Sequence, residues 1–277
     1  MSRAEFPVDL SVDGSVSASD RGLQYGHGIF ETMRLYQGAI PLLSRHFARL
    51  EAGAKALSLD FDVEQLKAHL DEYVADFESH GVVKLILTAG DAARGYRYSQ
   101  QGPLQGLVQY FPPSQKAPRR ILHLCSYRLP DNPRLAGIKH LNRLDQVMAA
   151  TEVPPDCDGL LLDYNDNVIE ALSSNIFLLH DGQWLTPALD SSGVAGVMRA
   201  LLKDEILPAF DIGLNIAPVN MDMLIQASEV FICNGLTGIV PVEAIAGIAQ
   251  WENTSDKTSQ TSLISGELSK RYPCFAE

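Results

Sequence analysis

The chain has 277 residues, of which 46% are hydrophobic and 20% are charged, and it carries a formal net charge of −12. This length is enough for one large domain or two ordinary ones, and the composition is that of a globular protein. An acidic chain has no general positive field for phosphates, so we expect no nucleic-acid partner. We also expect no membrane span, because no apolar run approaches roughly 18 residues.

The N-terminus and the cysteines together indicate the cellular compartment. The first residues, MSRAEFPVDLSVDG, have no apolar core behind their charges, so we expect no secretion signal. The four cysteines, Cys125, Cys157, Cys233 and Cys274, are widely spaced and form no metal-binding pattern. Reduced cysteines in a cytoplasmic protein without a metal site are therefore expected.

Helices and strands are mixed in the first part of the chain. Residues 42–59 place apolar side chains at helical spacing, and residues 63–77 repeat that period. Two strand-like runs follow, VVKLILTA (82–89) and GLVQYF (106–111). The segment FPPSQKAPRR (111–120), with three prolines, is the best candidate for a linker.

Strands dominate the second part of the chain. ILHLCSY (121–127) is strand-like, and residues 158–187 alternate strand-like runs with turns. GVMRALLKDEILPAF (196–210) predicts a helix, and SEVFICN (228–234) and GIVPVEAI (238–245) predict further strands. The one-strand-one-helix alternation of a doubly wound sheet is absent from this order.

These patterns predict an α+β fold with two domains. The N-terminal domain takes residues 1–112, an interdomain linker takes residues 113–120, and the C-terminal domain takes residues 121–277. In this division the C-terminal domain carries Lys139, the lysine with the most unusual setting in the chain.

Lys139 differs in its setting from most of the eight lysines. It follows Gly137 and Ile138, and a helical pattern begins at Leu141 directly after it. Burial and a helix N-terminus both lower the pKa of an amine, and such an amine can form a Schiff base with an aldehyde or ketone. A solvated surface lysine is the ordinary alternative, and Lys84, in the apolar run VVKLILTA, is a rival candidate.

Pyridoxal phosphate is the commonest aldehyde cofactor that a lysine binds, and it needs two further kinds of group. A carboxylate should face its pyridine nitrogen, and Glu170, at the end of the strand-like run NDNVIE, could supply it. The phosphate needs an arginine and the N–H groups of a helix start. Arg49 could supply the first, and Val197 and Met198 could supply the second. Each of these residues alone has an ordinary structural interpretation, so the patterns by themselves leave the cofactor open.

Four separated motifs together are more specific than any of these residues alone. They are DRGLQYGHGIFETMRLYQGAIPLLSRHFARL (20–50), the lysine at 139, EALSSNIF (170–177) and SGVAGVMRALL (192–202). In this order they resemble the signatures of the class IV, or fold-type IV, pyridoxal-phosphate-dependent aminotransferase family. The resemblance covers nearly the whole chain, from about residue 12 to residue 247.

The resemblance implies the two-domain fold of that family, which is D-amino-acid aminotransferase-like, with pyridoxal 5′-phosphate between the domains. It implies that Lys139 binds the cofactor aldehyde and that Glu170 faces the pyridine nitrogen. Arg49, Gly235 and the N–H groups that follow Gly196 would complete the cofactor site. A homodimer is also implied, because members of the family are homodimers.

Within the family, three runs resemble the aminodeoxychorismate lyases, which make 4-aminobenzoate. They are RLPDNPRLAGIKHLNRLDQV (128–147), ARGY (93–96) and VFICNGLTGIVPV (230–242). This interpretation predicts the conversion of 4-amino-4-deoxychorismate to 4-aminobenzoate and pyruvate. An aminotransferase for branched-chain or D-amino acids, with the same site and a different pocket, is the alternative. Two departures bear on that pocket: His27 replaces the Asp that is usual in the family motif, and residues 31–32 look more like an aminotransferase.

The predicted substrate is a small dicarboxylate, which an acidic protein must meet with local arginines. Arg94, in a glycine-containing loop after a strand, is the preferred candidate. The other arginines considered are Arg97, Arg128 and Arg143. Tyr25 could line the same pocket, although a core position is equally ordinary for it, and the backbone N–H of Leu236 could bind a carboxylate or phosphate oxygen.

Overall fold

The computed structural model describes most of the chain and divides it into two compact units. The described residues are 8–12, 14–100, 102–114, 120–251 and 258–276. The first unit comprises Met1–Gln115 with Ile138–Asn142, and the second comprises Lys116–Gly137 with Arg143–Glu277. The fold is α+β, as predicted. Residues 115–119 of the predicted linker lie outside the described residues, so the boundaries 1–112, 113–120 and 121–277 stay a prediction.

The first unit combines a small mixed sheet with helices. Its elements are β1 (Val8–Val12), α1 (Arg21–Tyr25), β2 (Gly28–Leu35), α2 (Leu43–Ala56), α3 (Val63–Ala75), β3 (Gly81–Thr88) and β4 (Leu104–Phe111). In the part of this unit that the structure describes, four strands form a sheet in the order β1-β4-β3-β2. β1 runs parallel to β4, and the other two pairs are antiparallel.

The elements of the first unit follow from their apolar spacing. Val83, Leu85 and Leu87 on alternate positions of β3 are fully buried, as expected for a strand with one face on the core. In α2 the buried side chains recur at three- and four-residue spacing, which places them on one face of the helix. α3 begins after Asp62, whose carboxylate accepts a hydrogen bond from Gln65 N at 2.9 Å and caps the first turn. The two predicted helices are therefore confirmed.

Residues 138–142 group with the first unit, although the sequence predicted that Lys139 would belong to the C-terminal domain. Phe30 N–H donates to Lys139 O at 3.0 Å, and Leu141 N–H donates to Gly28 O at 3.0 Å. The segment thus pairs with β2 as an extended stretch. The predicted helix begins later, at Leu144, so Lys139 is not in its first turn and the helix dipole argument does not apply to it.

The second unit is built on a larger sheet. Its first elements are β5 (Ile121–Leu129), α4 (Leu144–Ala150), β6 (Cys157–Asp163), β7 (Asn167–Ala171), β8 (Asn175–His180), β9 (Gln183–Pro187) and α5 (Val197–Leu201). Later in the chain come β10 (Leu214–Ala217), β11 (Val219–Asn220), α6 (Met221–Ile225), β12 (Glu229–Asn234), β13 (Gly238–Pro241), β14 (Ala244–Ile245), β15 (Ala249–Gln250) and α7 (Gln260–Arg271). Eleven strands within the described ranges share the sheet, whose main path is β10-β9-β8-β7-β6-β5-β14-β15.

An aromatic cluster lies in the core of the second unit. The rings of Phe177 on β8 and Phe231 on β12 stack with centroids 4.8 Å apart, and Trp184 packs 5.1 Å from Phe231. All three side chains are fully buried. The indole N–H of Trp184 donates to Gln260 Oε1 at 2.9 Å, which satisfies the polar atom of the ring and ties α7 to the sheet.

The predicted helix at 196–210 changes its type along its length. α5 is followed by a π-helix at Leu202–Ile206 and a 3-10 helix at Pro208–Phe210. Leu207 N–H donates to Leu202 O at 2.9 Å, five residues back, which is the hydrogen bond of a π-helix. The prediction of helical structure is confirmed, but a continuous α-helix over this range is wrong.

The described residues also bear on membranes, metals and disulfides. No helix among them is long and apolar enough to cross a membrane. Cys125, Cys157, Cys233 and Cys274 are all buried free cysteines. Within the same residues, no group of histidines, cysteines and carboxylates could hold a metal ion.

Candidate functional site

Lys139 lies half-buried on the extended segment that pairs with β2. Its Nζ is 4.4 Å from the centroid of the Phe30 ring, within the range of a cation–π interaction. Lys84, the rival candidate, extends from β3, and its Nζ is 5.6 Å from the centroid of the same ring. The backbone pairing and the Phe30 ring together orient the amine of Lys139.

Arg49 lies on the face of α2 that also carries a buried histidine. Its Nε donates to Glu31 Oε1 at 2.7 Å, and its NH2 group makes a second, short contact with Glu31 Oε2. Glu31 Oε2 also accepts a hydrogen bond from His46 Nδ1 at 2.7 Å. Only 13% of the Arg49 side chain is exposed, against 2% for Glu31. The guanidinium plane is thus fixed by a bidentate ion pair.

Glu31 keeps its charge in spite of its burial. Burial by itself raises the pKa of the Glu31 carboxyl, but the charge and hydrogen bonds of Arg49, with those of His46, outweigh it and lower the pKa. A buried charge is tolerated when it is paired and hydrogen-bonded. The sequence does not predict the link between Glu31 and Arg49, because the two residues lie 18 positions apart on different elements.

Glu170 is a buried carboxylate in the second unit, and not the surface strand-end charge that is its ordinary alternative. It is 4% exposed, and its position on β7 pairs with Asn175. Its Oε2 accepts a hydrogen bond from Val194 N at 2.8 Å. The carboxylate is therefore directed at the turn that precedes α5, the turn in which the phosphate site was predicted.

The turn before α5 combines a glycine N-cap with a buried serine hydroxyl. Gly196 is the N-cap of α5 and has no side chain to accept from the first-turn N–H groups of Val197 and Met198. A Cβ at Gly196 would lie 1.9 Å from Asn175 Oδ1, so the position requires glycine. The hydroxyl of Ser192 is buried and has no hydrogen-bond partner within the described residues.

These donors fit the cofactor that the sequence predicts. A phosphate needs N–H and O–H donors, which the start of α5 and the Ser192 hydroxyl can offer. A protonated pyridine nitrogen needs a fixed carboxylate, which Glu170 can offer. Gly137 N–H donates to Gly193 O at 2.9 Å, so Gly137 is held against the same turn of the second unit.

Arg199 is a half-buried arginine of α5 that the sequence interpretation missed. Its Nε donates to Thr186 Oγ1 at 3.2 Å and its NH2 to Pro187 O at 2.9 Å, which fastens α5 to β9. Burial lowers the pKa of Arg199. Nothing in the run VMRALL distinguishes this arginine from a solvated one, because its partners are residues of another element.

The turn between β12 and β13 contains Gly235 and Leu236. Asn234 Oδ1 accepts from Leu236 N at 2.8 Å and from Thr237 N at 2.9 Å, which is an Asx-type turn. The N–H of Leu236 is therefore directed at Asn234, contrary to the expectation that it would bind a substrate oxygen. Asn234 Nδ2 donates to Ser174 Oγ at 3.0 Å, so the turn is tied to the start of β8.

Arg94 and Tyr25 meet at one loop of the first unit. Arg94 is exposed and, with Arg97, lines a cleft of about 980 Å³ formed by residues of the 89–105 segment and Asp9. The hydroxyl of Tyr25 accepts from Gly95 N at 3.2 Å, so Tyr25 contacts this loop and is not a core tyrosine. The structure thus brings together two predicted substrate residues from separate motifs.

The other candidate arginines are placed differently. Arg128 forms an ion pair with Asp166, with 3.1 Å between NH2 and Oδ1, and its NH1 donates to Cys125 O at 2.9 Å. These contacts commit Arg128 to the local backbone. Arg143 is the N-cap residue of α4.

His27, the departure from the family motif, is held by two hydrogen bonds. Its Nε2 donates to Leu57 O at 2.9 Å, and its Nδ1 accepts from Arg21 Nε at 3.2 Å. This pattern requires the neutral ring with the proton on Nε2. Burial lowers the pKa of His27, and the nearby charge of Arg21 also lowers it, against the raising effect of Leu57 O.

Comparisons with known proteins agree with this fold. Residues 28–245 match the profile of the amino-transferase class IV family. An aminodeoxychorismate lyase from Vibrio harveyi is 34% identical over 249 residues, which cover 87% of this chain and 90% of the relative.

Solved structures give the same picture. The 4-amino-4-deoxychorismate lyase from Pseudomonas aeruginosa is similar with a TM-score of 0.87 and 37% identity, covering 94% of this chain and 96% of that one. The branched-chain amino acid aminotransferase from Escherichia coli is similar with a TM-score of 0.80 and 22% identity, covering 95% of this chain and 90% of that one. The second likeness is one of fold alone.

Proposed function

The chain belongs to the amino-transferase class IV family, and we propose that it is a pyridoxal-phosphate-dependent lyase that converts 4-amino-4-deoxychorismate to 4-aminobenzoate and pyruvate. The observation that carries the proposal is the higher identity to the solved lyase than to the solved branched-chain aminotransferase. The two reactions share a cofactor site, so the choice between them depends on this similarity and on the substrate.

We assign the covalent and electronic roles to Lys139 and Glu170. The Nζ of Lys139, oriented by the Phe30 ring, would hold the cofactor aldehyde. The buried carboxylate of Glu170 would keep a proton on the pyridine nitrogen. Bound pyridoxal phosphate would supply an electron sink for the carbon that bears the substrate amine.

The cofactor phosphate would be held by an arginine and by backbone N–H groups, which are the two kinds of donor that the sequence predicted. Arg49 would offer the edge of a guanidinium whose plane Glu31 fixes, and charge-assisted contacts of this kind are strong. The N–H groups of Val197 and Met198 would bind further phosphate oxygens at the uncapped start of α5. Gly235, in the turn held by Asn234, remains a proposed neighbour of the cofactor.

Lys139 would also act as the base of the reaction. Once the substrate amine has replaced it on the cofactor aldehyde, the freed Nζ would remove the proton from the amine-bearing ring carbon, where proximity outweighs modest basicity. The enolpyruvyl group leaves from the adjacent carbon and becomes pyruvate, and the ring becomes aromatic as 4-aminobenzoate. The two products contain every atom of the substrate, so no keto acid is consumed.

The substrate carboxylates would be met by arginine from the first unit. Arg94 is our preferred residue, because it is exposed on the loop that Tyr25 contacts. We do not assign Arg128, since its guanidinium is paired with Asp166. Leu236 is no longer proposed as a donor to the substrate.

The first experiment mixes the purified protein with fresh 4-amino-4-deoxychorismate, without a keto acid, and follows pyruvate through a coupled dehydrogenase. We expect equal amounts of pyruvate and 4-aminobenzoate. Turnover of an amino acid with 2-oxoglutarate, together with no pyruvate from 4-amino-4-deoxychorismate, would mean that the alternative, an aminotransferase for branched-chain or D-amino acids, is correct.

The role of Lys139 is tested by Lys139→Ala. We expect loss of turnover by at least about a thousandfold, as for removal of a covalent and basic group, and loss of the visible absorption of the bound cofactor. Lys270→Ala, on the surface of α7, is the matched control and should keep both. Loss of absorption in Lys84→Ala instead would transfer the role to the rival lysine.

We further propose a homodimer located in the cytoplasm, as the family resemblance and the reduced cysteines suggest. Leu144, Val147 and Met148 form an exposed apolar face on α4, which a second copy of the chain could cover. Sedimentation equilibrium should give twice the chain mass of 30.3 kDa. A monomer at micromolar concentration would contradict the dimer without bearing on the reaction.

A further inference from the structure

A buried arginine outside the proposed cofactor site organises one loop of the first unit. Arg21, the first residue of α1, is 3% exposed, and a guanidinium is costly to bury unless its donors are satisfied. Its NH1 donates to Gly95 O at 2.8 Å and its NH2 to Tyr96 O at 3.4 Å. Its Nε donates to His27 Nδ1 at 3.2 Å. Two of these partners are consecutive carbonyls of the 93–98 loop.

Two aromatic rings flank the guanidinium of Arg21. The Cζ atom lies 4.8 Å from the centroid of the Tyr25 ring and 5.1 Å from that of the Tyr98 ring, both in cation–π range. The His27 ring packs edge-on against Tyr98 with centroids 4.7 Å apart. Tyr25 also accepts the N–H of Gly95, so both polar groups of that glycine are bound.

The loop itself has little packing that could fix it. Arg94, Tyr96 and Arg97 are exposed, and no heavy atom lies within 4 Å of a Cβ built on Gly95. A segment with few buried contacts opens easily unless its backbone is bound elsewhere. The contacts of Arg21 and Tyr25 therefore hold the Gly95–Tyr96 turn, which lies between Arg94 and Arg97 beside the 980 Å³ cleft.

We propose that Arg21 is a positioning residue, which, with His27 as its acceptor, fixes the Gly95–Tyr96 turn so that Arg94 and Arg97 face an anionic substrate together. Two oriented guanidinium groups suit a dicarboxylate, since each can bind a carboxylate bidentately. The identity of that ligand rests on the proposed function. The fixing of the loop rests on the contacts of Arg21 alone.

Arg94 and Arg97 are themselves trypsin sites, which gives a test that needs no activity. Arg21→Met removes the three donors and keeps an unbranched side chain. In the cofactor-loaded variant we expect cleavage after Arg94 and Arg97, identified by peptide mass, to be about tenfold faster than in the wild type. Arg271→Met, on the surface of α7 beside Glu267, is the matched control and should cleave at the wild-type rate.

A wild-type cleavage rate in folded Arg21→Met would overturn the proposal. Should that variant fail to fold, His27→Phe serves in its place, because it removes the acceptor of Arg21 and keeps a ring against Tyr98. Faster cleavage after Arg94 and Arg97 is again the expected result, and an unchanged rate would again overturn the proposal.

The kinetic constants KM and kcat distinguish a positioning role of Arg21 from a general loss of structure. With 4-amino-4-deoxychorismate, Arg21→Met should raise KM about tenfold and change kcat less than about twofold, because it affects binding orientation and not the base. The absorption of the bound cofactor should stay as in the wild type. In a variant with both Arg94→Gln and Arg97→Gln, the further change Arg21→Met should add little, because residues that act as one unit are not additive.

Additive effects on KM in that cycle would overturn the positioning role. If the wild type does not turn over 4-amino-4-deoxychorismate, the proposed function fails, while the trypsin result still decides whether Arg21 fixes the loop. If the wild type is active and Arg21→Met changes neither KM nor cleavage, the proposed function stands and the inference fails.

Discussion

Glu31 shows how one side chain determines the behaviour of another. Its buried carboxylate binds both Arg49 and His46, and the pairing lowers the pKa of Glu31 although burial acts in the opposite direction. An arginine left without this partner could adopt many rotamers. The ion pair therefore orders Arg49 before any ligand arrives, which reduces the entropy cost of binding.

Glu31→Gln tests this ordering. The change leaves Arg49 with a neutral partner in a buried site, so we expect a loss of about 3 kcal/mol in the free energy of unfolding, as when one member of a buried pair is removed. Urea denaturation measures the loss. The control is Glu267→Gln, whose exposed pair with Arg271 should contribute less than about 1 kcal/mol. Equal losses in the two variants would show that the buried Glu31 pair contributes no more to the free energy of unfolding than the exposed pair does.

His27 gives a prediction on pH. Burial lowers its pKa below the ordinary value of 6.5, and the groups facing it are the charge of Arg21 and the ring of Tyr98. A base with a lowered folded pKa contributes stability that is present above about pH 6.5 and lost as the pH falls through the folded pKa. Protonation also places two donors, His27 Nδ1 and Arg21 Nε, against each other.

The wild type should therefore lose thermal stability between pH 7 and pH 5. His27→Asn should lose less over the same range, because it has no imidazole to protonate at this position. Scanning calorimetry at several pH values measures the difference. His69→Asn on α3 is the control and should follow the wild type. A His27→Asn curve parallel to the wild type would contradict the role of the neutral ring.

At the scale of elements, short polar turns decide the geometry of the proposed site. The Asn234 side chain uses its oxygen for the turn after β12 and its nitrogen for Ser174 before β8. The glycine at 196 lets α5 start against Asn175. At both turns an asparagine that we do not propose as a cofactor contact, Asn234 or Asn175, packs against the backbone that carries the proposed N–H donors.

Asn234→Ala should loosen the turn that contains Gly235. We expect a loss of about 2 kcal/mol in the free energy of unfolding, because several donors lose their acceptor. We also expect faster loss of bound pyridoxal phosphate on dialysis, measured by absorption. Asn215→Ala, on the exposed part of β10, is the control and should change neither quantity. Stability that falls with cofactor retention unchanged would separate the turn from the cofactor site.

At the scale of the whole molecule, the chain is acidic, and the pKa values of Glu31 and Glu152 are lowered by their partners. Glu152 Oε1 accepts from Tyr127 N at 3.0 Å, and its other oxygen accepts from Ser126 N. Burial raises the pKa of Glu152, but these N–H groups and nearby charge lower it overall, as Arg49 does for Glu31. Native carboxylates with lowered pKa values make a protein sensitive to acid.

The free energy of unfolding should therefore fall on acidification. Each lowered carboxyl contributes stability that is fully present above its ordinary pKa of 4.5 and lost as the pH falls through the folded pKa. Urea midpoints measured from pH 7 to pH 3 should decrease most steeply below about pH 4.5. In Glu152→Gln the decrease should be shallower. A constant midpoint would contradict this expectation, because it would mean that relief of the repulsion within an acidic chain offsets the lost pairs.

Much of the secondary structure was accessible from the sequence, and the reasons are local. The alternation of Val83, Leu85 and Leu87 marks a strand, and the spacing of Phe47 and Leu50 marks a helix, whatever the rest of the chain does. The hairpin at 181–182 has positive φ at both residues, as Asp-Gly predicts. The π-helix after α5 was not accessible, since it depends on how the helix packs and not on its composition.

The candidate site was accessible only in part. Lys139 and Glu170 stood out through motifs, because their chemistry requires those residue types. Arg21, Arg199 and Ser192 did not, since a buried arginine or hydroxyl looks like an exposed one in a single sequence.

The sequence by itself determined the family and the α+β composition, and it is the basis for our proposal that Lys139 is the reactive lysine, because periodicity and motifs are properties of neighbouring residues. Tertiary structure alone decided that residues 138–142 pair with β2 and that Glu31 holds Arg49. It also decided that Arg21 reaches a carbonyl 74 residues away in the chain. Such contacts depend on which faces meet on folding, and no local pattern records them.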